Sequence, residues 1–370
     1  MILFLILILL VGCSPLSEVN EFSPLPGGDW GISTPEEVGL DPKSVEKLYN
    51  EAAKMESLYG LVVIKNGQLI AEGYFNEGSI DQKYYMASAT KSFTSALVGI
   101  ALDQGCLTTV DQRLLEFFPE FIDQIDDPRK ELITIRDLLQ MRSGYVWEER
   151  TPYMESLFRS QGYWLPFISE FPLTNDPGSE YGYSNLSSHL LGVIVARACN
   201  TDLKSFAEEH LFSPLNAEVG EWLIDSDDYY YGAHGLSLSA RDRAKFGLLY
   251  INEGDYEGIQ IIPEDWIEKS LVRYSEGINL SGWIPGITNS VGNFRDLGYG
   301  YQWWSARAGR HEFYYAAGHG GNLIVLLEDL DMVIVTTSDP LHFQFGGEAW
   351  EKEKAIINLV GRYIKSLPKE

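Results

Sequence analysis

The sequence is poor in residues that hold metals or cross-link the chain. Its 370 residues include three cysteines and six histidines, and no CxxC, HExxH or Cys/His spacing typical of a zinc site occurs. These absences predict a protein with no metal and no cofactor. Cys106 and Cys199 could pair if the protein is exported, but we expect two buried free thiols, which is how isolated cysteines more often occur.

Positive charge is also scarce, because 28 Lys and Arg face 53 Asp and Glu, giving a net charge of −25. A surface this acidic repels phosphate backbones, so nucleic acid is not an expected partner. The G-x-S-x-G motif that an α/β-hydrolase needs does not occur. The length suffices for one large domain or two closely joined ones, and the oligomeric state stays open.

The chain begins with an apolar run, MILFLILILLVGC, that is too short to span a bilayer. Its end, residues 10–13, resembles a bacterial lipobox, after which the cysteine carries lipid. We therefore expect residues 1–13 to be a lipoprotein-type signal and Cys13 to anchor the protein on the periplasmic or surface side of a bacterial membrane. The usual basic residues before the run are missing. An ordinary signal peptide, an uncleaved anchor and a misassigned start codon are the alternatives.

Beyond residues 14–31, a tether rich in Pro, Gly and Ser, the pattern predicts one domain over 32–370 with an α+β (α/β sandwich) fold. A helix begins near Asp41-Pro42, and an Asn66-Gly67 turn joins two apolar strands. The stretch 84–102 is predicted to be helical, and about 105–290 is mostly helical. Short strands return near 300–338, and a helix covers about 347–366. We expect an antiparallel sheet from about 32–87 and 291–370, flanked by helices, with a mostly helical part at about 88–290.

A single charge, Lys91, lies in the apolar stretch YYMASATKSFTSALVGIAL. A buried ammonium is costly unless it is compensated, so this lysine either reaches solvent or has a chemical use. Ser88 is three residues earlier, on the same face of a helix. Burial favours the neutral amine, which could take the proton from the Ser88 hydroxyl. The S-x-x-K spacing alone is weak, since Ser44/Lys47 and Ser366/Lys369 also match it.

Two further motifs strengthen the catalytic interpretation of Ser88-x-x-Lys91. Tyr183-x-Asn185 precedes an amphipathic pattern, although Y-x-N also occurs elsewhere in the chain. His319-x-Gly321 is the only H-x-G, and the glycines around this histidine indicate a close approach of backbone to a ligand. Trp147, Trp303 and Trp304 are candidates to line a cleft, with core packing as the more common alternative for tryptophan.

In this order the three motifs resemble those of class C β-lactamases and D-alanyl-D-alanine carboxypeptidases. The chain is most similar to the broad β-lactamase-related serine hydrolase family, which also includes esterases and aminohexanoate-oligomer hydrolases. The resemblance covers nearly the whole chain after the tether. It implies a serine β-lactamase/transpeptidase-like fold and hydrolysis of an ester or an amide/peptide bond in a small-molecule or peptide substrate.

The resemblance also implies a role for each motif residue. Ser88 would be the nucleophile, Lys91 and Tyr183 would move its proton, and Asn185 would bind Lys91 and substrate. His319 and Gly321 would border the substrate, and the backbone amides of Ser88 and Asn322 would form the oxyanion hole. His319 stands where class C β-lactamases have a lysine, so we expect no strong β-lactamase activity. A catalytically silent, lipid-tethered wall-binding or sensor module is the alternative.

Overall fold

A computed structural model describes residues 24–25, 28–149, 152–280, 289–338 and 347–368. The predicted signal over residues 1–13, with Cys13, lies outside the described residues, as do residues 14–23 and 26–27 of the predicted tether. The described end of the tether contacts the domain, because Arg241 forms an ion pair with Asp29 at 3.0 Å and donates to the Leu25 carbonyl oxygen. None of the helices in the described ranges is long and apolar enough to cross a membrane.

The described part of the chain forms one large sheet and two small ones, with strands in the order β1-β3-β2-β13-β12-β11-β10-β9-β8 in the large sheet. The strands are β1 Gly31–Ile32, β2 Leu58–Lys65, β3 Gln68–Tyr74, β4 Tyr84–Tyr85, β5 Ser237–Leu238, β6 Asp255–Tyr256, β7 Ile259–Gln260, β8 Ser290–Val291, β9 Phe294–Tyr299, β10 Trp304–Ala308, β11 His311–Gly318, β12 Asn322–Leu327 and β13 Met332–Ser338. Both ends of the chain therefore build the same sheet, as predicted.

Helices cover the sheet and fill the middle of the chain. They are α1 Pro42–Ala52, α2 Thr90–Asp103, α3 Ile135–Leu139, α4 Tyr153–Arg159, α5 Phe167–Glu170, α6 Asn185–Ala198, α7 Leu203–Ala207, α8 Ala240–Ile251, α9 Glu264–Leu271 and α10 Gly347–Ser366, with short 3₁₀ segments between some of them. The mixed α/β architecture confirms the predicted fold class. One detail was wrong: the sheet is mixed, because β1 pairs with β3 in parallel while the other strand pairs are antiparallel.

The sheet is buried on both faces, which is why its central strands are apolar at nearly every position. Alternate residues of a strand point to opposite faces. On β2, Leu61 and Val63 join the core that includes α1 and α10, whereas Val62 and Ile64 join the core that includes α2, α6 and α8. The sheet is thus the middle layer of a three-layer sandwich.

The predicted hairpin is confirmed, and its turn explains the register. Asn66 and Gly67 both have positive φ, 50° and 67°, as a type I′ turn requires. Lys65 then pairs directly with Gln68. A short, locally encoded turn of this kind fixes which face each apolar side chain covers.

Two predicted boundaries differ from the structure near the candidate site. The helix expected over 84–102 begins only at Thr90, because Tyr84 and Tyr85 form β4 and Ala87 has a φ of 48°, which no α-helix accommodates. The strand expected from Gly300 begins at Trp304. A Cβ on Gly300 would lie 2.2 Å from the Ser270 carbonyl oxygen of α9. The backbone at Gly300 therefore packs directly against the α9 backbone, which only glycine allows.

The two cysteines of the domain are bonded to each other, and the expectation of buried free thiols was wrong. Cys106 and Cys199 form a disulfide with Cα atoms 5.0 Å apart, and both are half-buried. Cys106 follows α2, and Cys199 is the C-cap of α6. These two helices pack against each other, which brings their carboxyl ends together. The disulfide therefore ties the ends of α2 and α6.

Candidate active site

Ser88 lies in a strained turn between β4 and α2. It is the central residue of the 3₁₀ segment Ala87–Ala89, and it is half-buried. Ala87, directly before it, has a φ of 48°. A non-glycine residue in this region costs about 1–3 kcal/mol and persists only where the surroundings enforce it. Backbone strain of this kind, here immediately before a serine that precedes a buried helix, clusters at functional sites.

Lys91, in the first turn of α2, is almost fully buried, with 2% of its surface exposed. Its Nζ donates to Ser88 Oγ at 3.0 Å, to Asn185 Oδ1 at 2.7 Å and to the Ala233 carbonyl oxygen at 2.8 Å. Three acceptors surround the three donors of an ammonium, and the amine does not reach bulk solvent. The structure thus excludes the solvent-reaching alternative for this lysine.

Burial has a direct effect on the protonation of Lys91. It lowers the pKa of the amine to about 7, against an opposing effect of the Glu149 and Glu148 carboxylates, which favour the charged form. Near neutral pH a substantial fraction of Lys91 is therefore the neutral amine. A neutral amine 3.0 Å from a serine hydroxyl is placed to accept its proton.

Tyr183 lies beside both Ser88 and Lys91. Burial is the larger effect on the Tyr183 phenol and raises its pKa well above the ordinary value, although the Ser88 side chain is close enough to favour the ionised form. The Lys91 ammonium is 5.0 Å from the centre of the Tyr183 ring. Trp147 and Trp304 pack against the same ring, with centroids 5.3 Å and 6.2 Å away. These contacts hold the phenol close to both Ser88 and Lys91.

The three tryptophans proposed for the cleft separate into two groups. Trp147 and Trp304 border Tyr183 and are half-buried. Trp303 is fully buried and packs on Tyr250, with centroids 4.6 Å apart. Trp303 is therefore a core residue, whereas the other two lie beside the candidate nucleophile.

Asn185 opens α6 and connects Lys91 to a pair of acidic residues. Its Oδ1 accepts from Lys91, and its Nδ2 donates to Glu149 Oε1 at 3.0 Å. Glu148 is fully buried, and it accepts from Ser184 Oγ and from the backbone amides of Asn185 and Leu186. These bonds satisfy the first amides of the helix, and burial raises the pKa of Glu148 to about 7.

Sequence reasoning missed both glutamates and the segment that supplies Ala233. In the sequence the only signal for Glu148 and Glu149 is a pair of acidic residues after an apolar run. His234, next to Ala233, is close enough to Lys91 that burial and the Lys91 charge together lower its pKa to about 3. It is neutral at physiological pH, and no periodicity or motif marks its segment.

The third motif lies in the turn between β11 and β12. His319 Nδ1 is 2.9 Å from Glu353 Oε2 on α10, and the same oxygen accepts from the Gly320 amide at 3.0 Å. Gly321 has a φ of 89° and packs against Ile356. His319 is thus held by a carboxylate, and 27% of its side chain remains exposed.

Asn322 is the first residue of β12 and lies directly across the hairpin from Gly318. It is fully buried, and its side chain accepts from Arg243 and donates to Ser338 Oγ and to the His319 carbonyl oxygen. Its partner across the hairpin, Gly318, is the residue that contacts the nucleophile turn. A Cβ on Gly318 would lie 2.0 Å from the Met86 carbonyl oxygen and 3.2 Å from the Ala89 amide nitrogen.

The described ranges contain no group of three or more His, Cys, Asp and Glu residues arranged to hold a metal ion. The side chains of Ser88, Lys91 and Tyr183 are of types that can carry out nucleophilic attack and proton transfer. The structure joins Ser88, Lys91 and Asn185 by hydrogen bonds, places the Tyr183 ring 5.0 Å from the Lys91 amine, and brings the end of β11, next to the third motif, against the Ser88 turn.

Comparison with known families agrees with this arrangement. The family described as Beta-lactamase matches residues 46–356. The chain belongs to the beta-lactamase family. Similar proteins include hydrolases of amidase and D-peptidase type, and this beta-lactamase-family protein is an enzyme of the serine hydrolase type.

Three similar proteins illustrate the family. The 6-aminohexanoate-dimer hydrolase of Paenarthrobacter ureafaciens is 22% identical over 273 residues, covering 71% of this chain and 68% of that protein. A provisionally named D-alanyl-D-alanine carboxypeptidase of Escherichia coli K12 is 26% identical over 209 residues, covering 50% and 48%. A provisionally named 6-aminohexanoate-dimer hydrolase from Bacillus anthracis has the same fold, with a TM-score of 0.68, 20% identity, and coverage of 92% of this chain and 89% of that one.

Proposed function

We propose that this beta-lactamase-family protein cleaves an ester or an amide/peptide bond through an acyl-enzyme on Ser88. The observation that carries the proposal is the group formed by Ser88, Lys91 and Tyr183. The Lys91 amine is 3.0 Å from Ser88 Oγ and 5.0 Å from the centre of the Tyr183 ring, and Tyr183 lies close enough to Ser88 to interact with it. A serine hydroxyl becomes a competent nucleophile when an adjacent base removes its proton.

Acylation then follows from the positions of these groups. Lys91 takes the proton from Ser88 Oγ as the oxygen attacks the substrate carbonyl and forms a C–O bond. The tetrahedral intermediate collapses, and the leaving group receives a proton from Lys91 through the Tyr183 hydroxyl. In deacylation a water molecule gives its proton to the same pair of residues and attacks the acyl carbon. Ser88 Oγ leaves with a proton, and the free enzyme is restored.

The oxyanion formed in both steps needs donors that point at it. We propose the Ser88 backbone amide as one donor and the backbone at the end of β11, Gly318–His319, as the other. Gly318 lies against the Ser88 turn, and the other candidate donor, the Asn322 backbone amide, belongs to the residue paired with Gly318 across the hairpin. Removing one such donor typically lowers kcat by about 10²–10³-fold.

The substrate is proposed to be a small molecule or a peptide with an acyl group that fits beside Trp147 and Trp304. The relatives are named for aminohexanoate-dimer and D-alanyl-D-alanine substrates. His319 interacts with Glu353, so this end of the site offers a carboxylate-bearing β-lactam less positive charge than a lysine would. Turnover of p-nitrophenyl esters, D-alanyl peptides and a chromogenic cephalosporin separates these classes, and we expect the cephalosporin to be the poorest substrate.

A fluorophosphonate probe tests the proposal without knowledge of the substrate, because it phosphonylates activated serines. We expect stoichiometric labelling of the parent protein and no labelling of Ser88→Ala. Equal labelling of both proteins would refute the role of Ser88. An unlabelled, folded parent would instead support the silent wall-binding or sensor module.

We also propose that Cys13 carries lipid and that the enzyme works on the outer side of a bacterial membrane. Support comes from the apolar run that ends in Leu-Val-Gly-Cys. A lipid chain contributes about 0.8 kcal/mol per buried CH₂, so two or more chains hold a protein stably at a bilayer. Cys13→Ala should release the protein from the membrane fraction; unchanged fractionation and electrophoretic mobility would contradict the proposal.

A further inference from the structure

The side-chain amide of Asn185 lies between a group that only donates and a group that only accepts. Lys91 Nζ donates to Asn185 Oδ1 at 2.7 Å, and Asn185 Nδ2 donates to Glu149 Oε1 at 3.0 Å. An ammonium has no acceptor, and a carboxylate has no donor. Only one of the two amide orientations therefore satisfies both neighbours, and Asn185, with 6% of its surface exposed, has little access to water that could replace either one.

We propose that Glu149 is a positioning residue for the reaction. It fixes the Asn185 amide so that the oxygen faces Lys91, and the amide in turn holds the Lys91 amine beside Ser88. The inference rests on the proposed acyl-enzyme function of Ser88. It adds to that function a residue outside the three motifs.

Glu149 is itself well placed to act on the amide. Its second oxygen accepts from the Trp147 indole nitrogen at 3.3 Å. The neighbouring Glu148 accepts from the Asn185 and Leu186 backbone amides at 2.9 Å and 3.0 Å. The segment that carries Glu149 is therefore fastened to the first turn of α6, the same turn that carries Asn185. The Trp147 contact and the bonds of Glu148 to α6 together fix the distance between the Glu149 carboxylate and the Asn185 side-chain amide.

Loss of the Glu149 carboxylate would free the amide to rotate. With its NH₂ group towards Lys91, the amide would place one donor against another, and the amine would lose its shortest hydrogen bond. A displacement of a reacting group by about 1 Å can cost roughly 10²-fold in rate. Glutamine at this position would keep an acceptor for Asn185 Nδ2 but would remove the charge.

The charge has a separate, measurable effect. The ionisable groups around Lys91 are Glu148 and Glu149, Tyr183 before α6 and His234 beside Ala233. Burial lowers the pKa of Lys91, and the two carboxylates raise it. Removing the Glu149 charge therefore lowers this pKa further, and the acid limb of the pH–rate profile moves to lower pH.

The test measures the rate of inactivation by a fluorophosphonate from pH 5 to pH 9, together with thermal unfolding. The proteins are the parent, Glu149→Ala and Glu149→Gln, with Glu155→Gln as the control, because Glu155 lies on α4 and forms an exposed ion pair. For Glu149→Ala we expect inactivation that is more than about tenfold slower. For Glu149→Gln we expect a loss below about threefold and an acid limb at lower pH.

Parent-like inactivation of folded Glu149→Ala would overturn the inference, and so would Glu149→Gln that is as slow as Glu149→Ala. If Glu149→Ala does not fold, the pH profile of Glu149→Gln is the test. An acid limb of Glu149→Gln at the same pH as in the parent would overturn the inference. Ser88→Ala, measured in parallel, separates the two proposals. Labelling of Ser88→Ala would refute the acyl-enzyme proposal itself, whereas an unlabelled Ser88→Ala with parent-like Glu149→Ala refutes the positioning role alone.

Discussion

The most specific prediction concerns the pH dependence that Lys91 imposes. An amine with a pKa of about 7 is roughly half neutral at pH 7, whereas an ordinary lysine is neutral in about one molecule in 3,000. Since the neutral amine is the base, acylation should be constant above pH 8 and fall about tenfold per pH unit below about pH 6. The rate falls with decreasing pH because Lys91 becomes protonated as the pH drops below its lowered pKa, and the protonated amine cannot accept the Ser88 proton.

Lys91→Arg removes this base while keeping a positive charge. A guanidinium stays protonated throughout the accessible pH range, so we expect acylation to fall by roughly 10²–10⁴-fold at pH 8. The assay is the initial rate of p-nitrophenyl acetate hydrolysis, paired with the fluorophosphonate inactivation rate and a thermal melt on the same preparation.

Glu148 requires a control, because burial raises its pKa to about 7 as well. Two interacting groups that titrate in the same range give apparent pKa values that belong to the pair. Glu148→Gln should keep an acid limb, since Lys91 still supplies the base. Full activity in folded Lys91→Arg, or a parent profile that falls only below pH 5, would refute the assignment of Lys91 as the base.

Three further predictions test other parts of the structure. Replacing Cys106 and Cys199 together by serine should lower the stability of the folded state by about 2–5 kcal/mol, read from urea unfolding, with activity at 25 °C retained; an unchanged denaturation midpoint would show that the disulfide does not form. Gly318→Ala should abolish fluorophosphonate labelling, because its Cβ would lie 2.0 Å from the Met86 carbonyl oxygen in the nucleophile turn. Gly347→Ala is the control, since a Cβ there meets no atom within 4 Å. Labelling of both variants at the parent rate would contradict the contact between Gly318 and the nucleophile turn. His319→Ala should raise KM and lower turnover modestly, and a loss as severe as that of Ser88→Ala would indicate a histidine-based mechanism.

Much of the fold was predictable because its signals are local. A few neighbouring residues suffice to predict the Asn66-Gly67 turn, the Asp41 cap of α1 and the short apolar strands near the end of the chain. The spacing of Ser88 and Lys91 was informative for the same reason, since one turn of backbone joins them. The parallel pairing of β1 and the start of α2 at Thr90 depend on distant partners and on the φ of Ala87, which no periodicity reveals.

The rest of the site depends on contacts between segments that are far apart in the sequence. Glu149 meets Asn185 across 36 positions, and Lys91 meets Ala233 across 142. In both cases the loop that supplies the contact has no repeating pattern. The contact of Gly318 with the nucleophile turn depends on where β11 ends and on the register of the hairpin, which pairs Gly318 with Asn322. The disulfide likewise required knowledge that α2 and α6 pack side by side.

The central claim is that Ser88 is the residue that becomes acylated and that Lys91 activates it. The most direct measurement is peptide mapping by mass spectrometry after brief treatment with a fluorophosphonate at pH 8, on the parent, Ser88→Ala and Lys91→Arg. We predict one phosphonyl group on the peptide that contains Ser88, none in Ser88→Ala, and labelling slowed by at least about 10²-fold in Lys91→Arg. A phosphonyl group on another residue, or parent-rate labelling of folded Lys91→Arg, would contradict it.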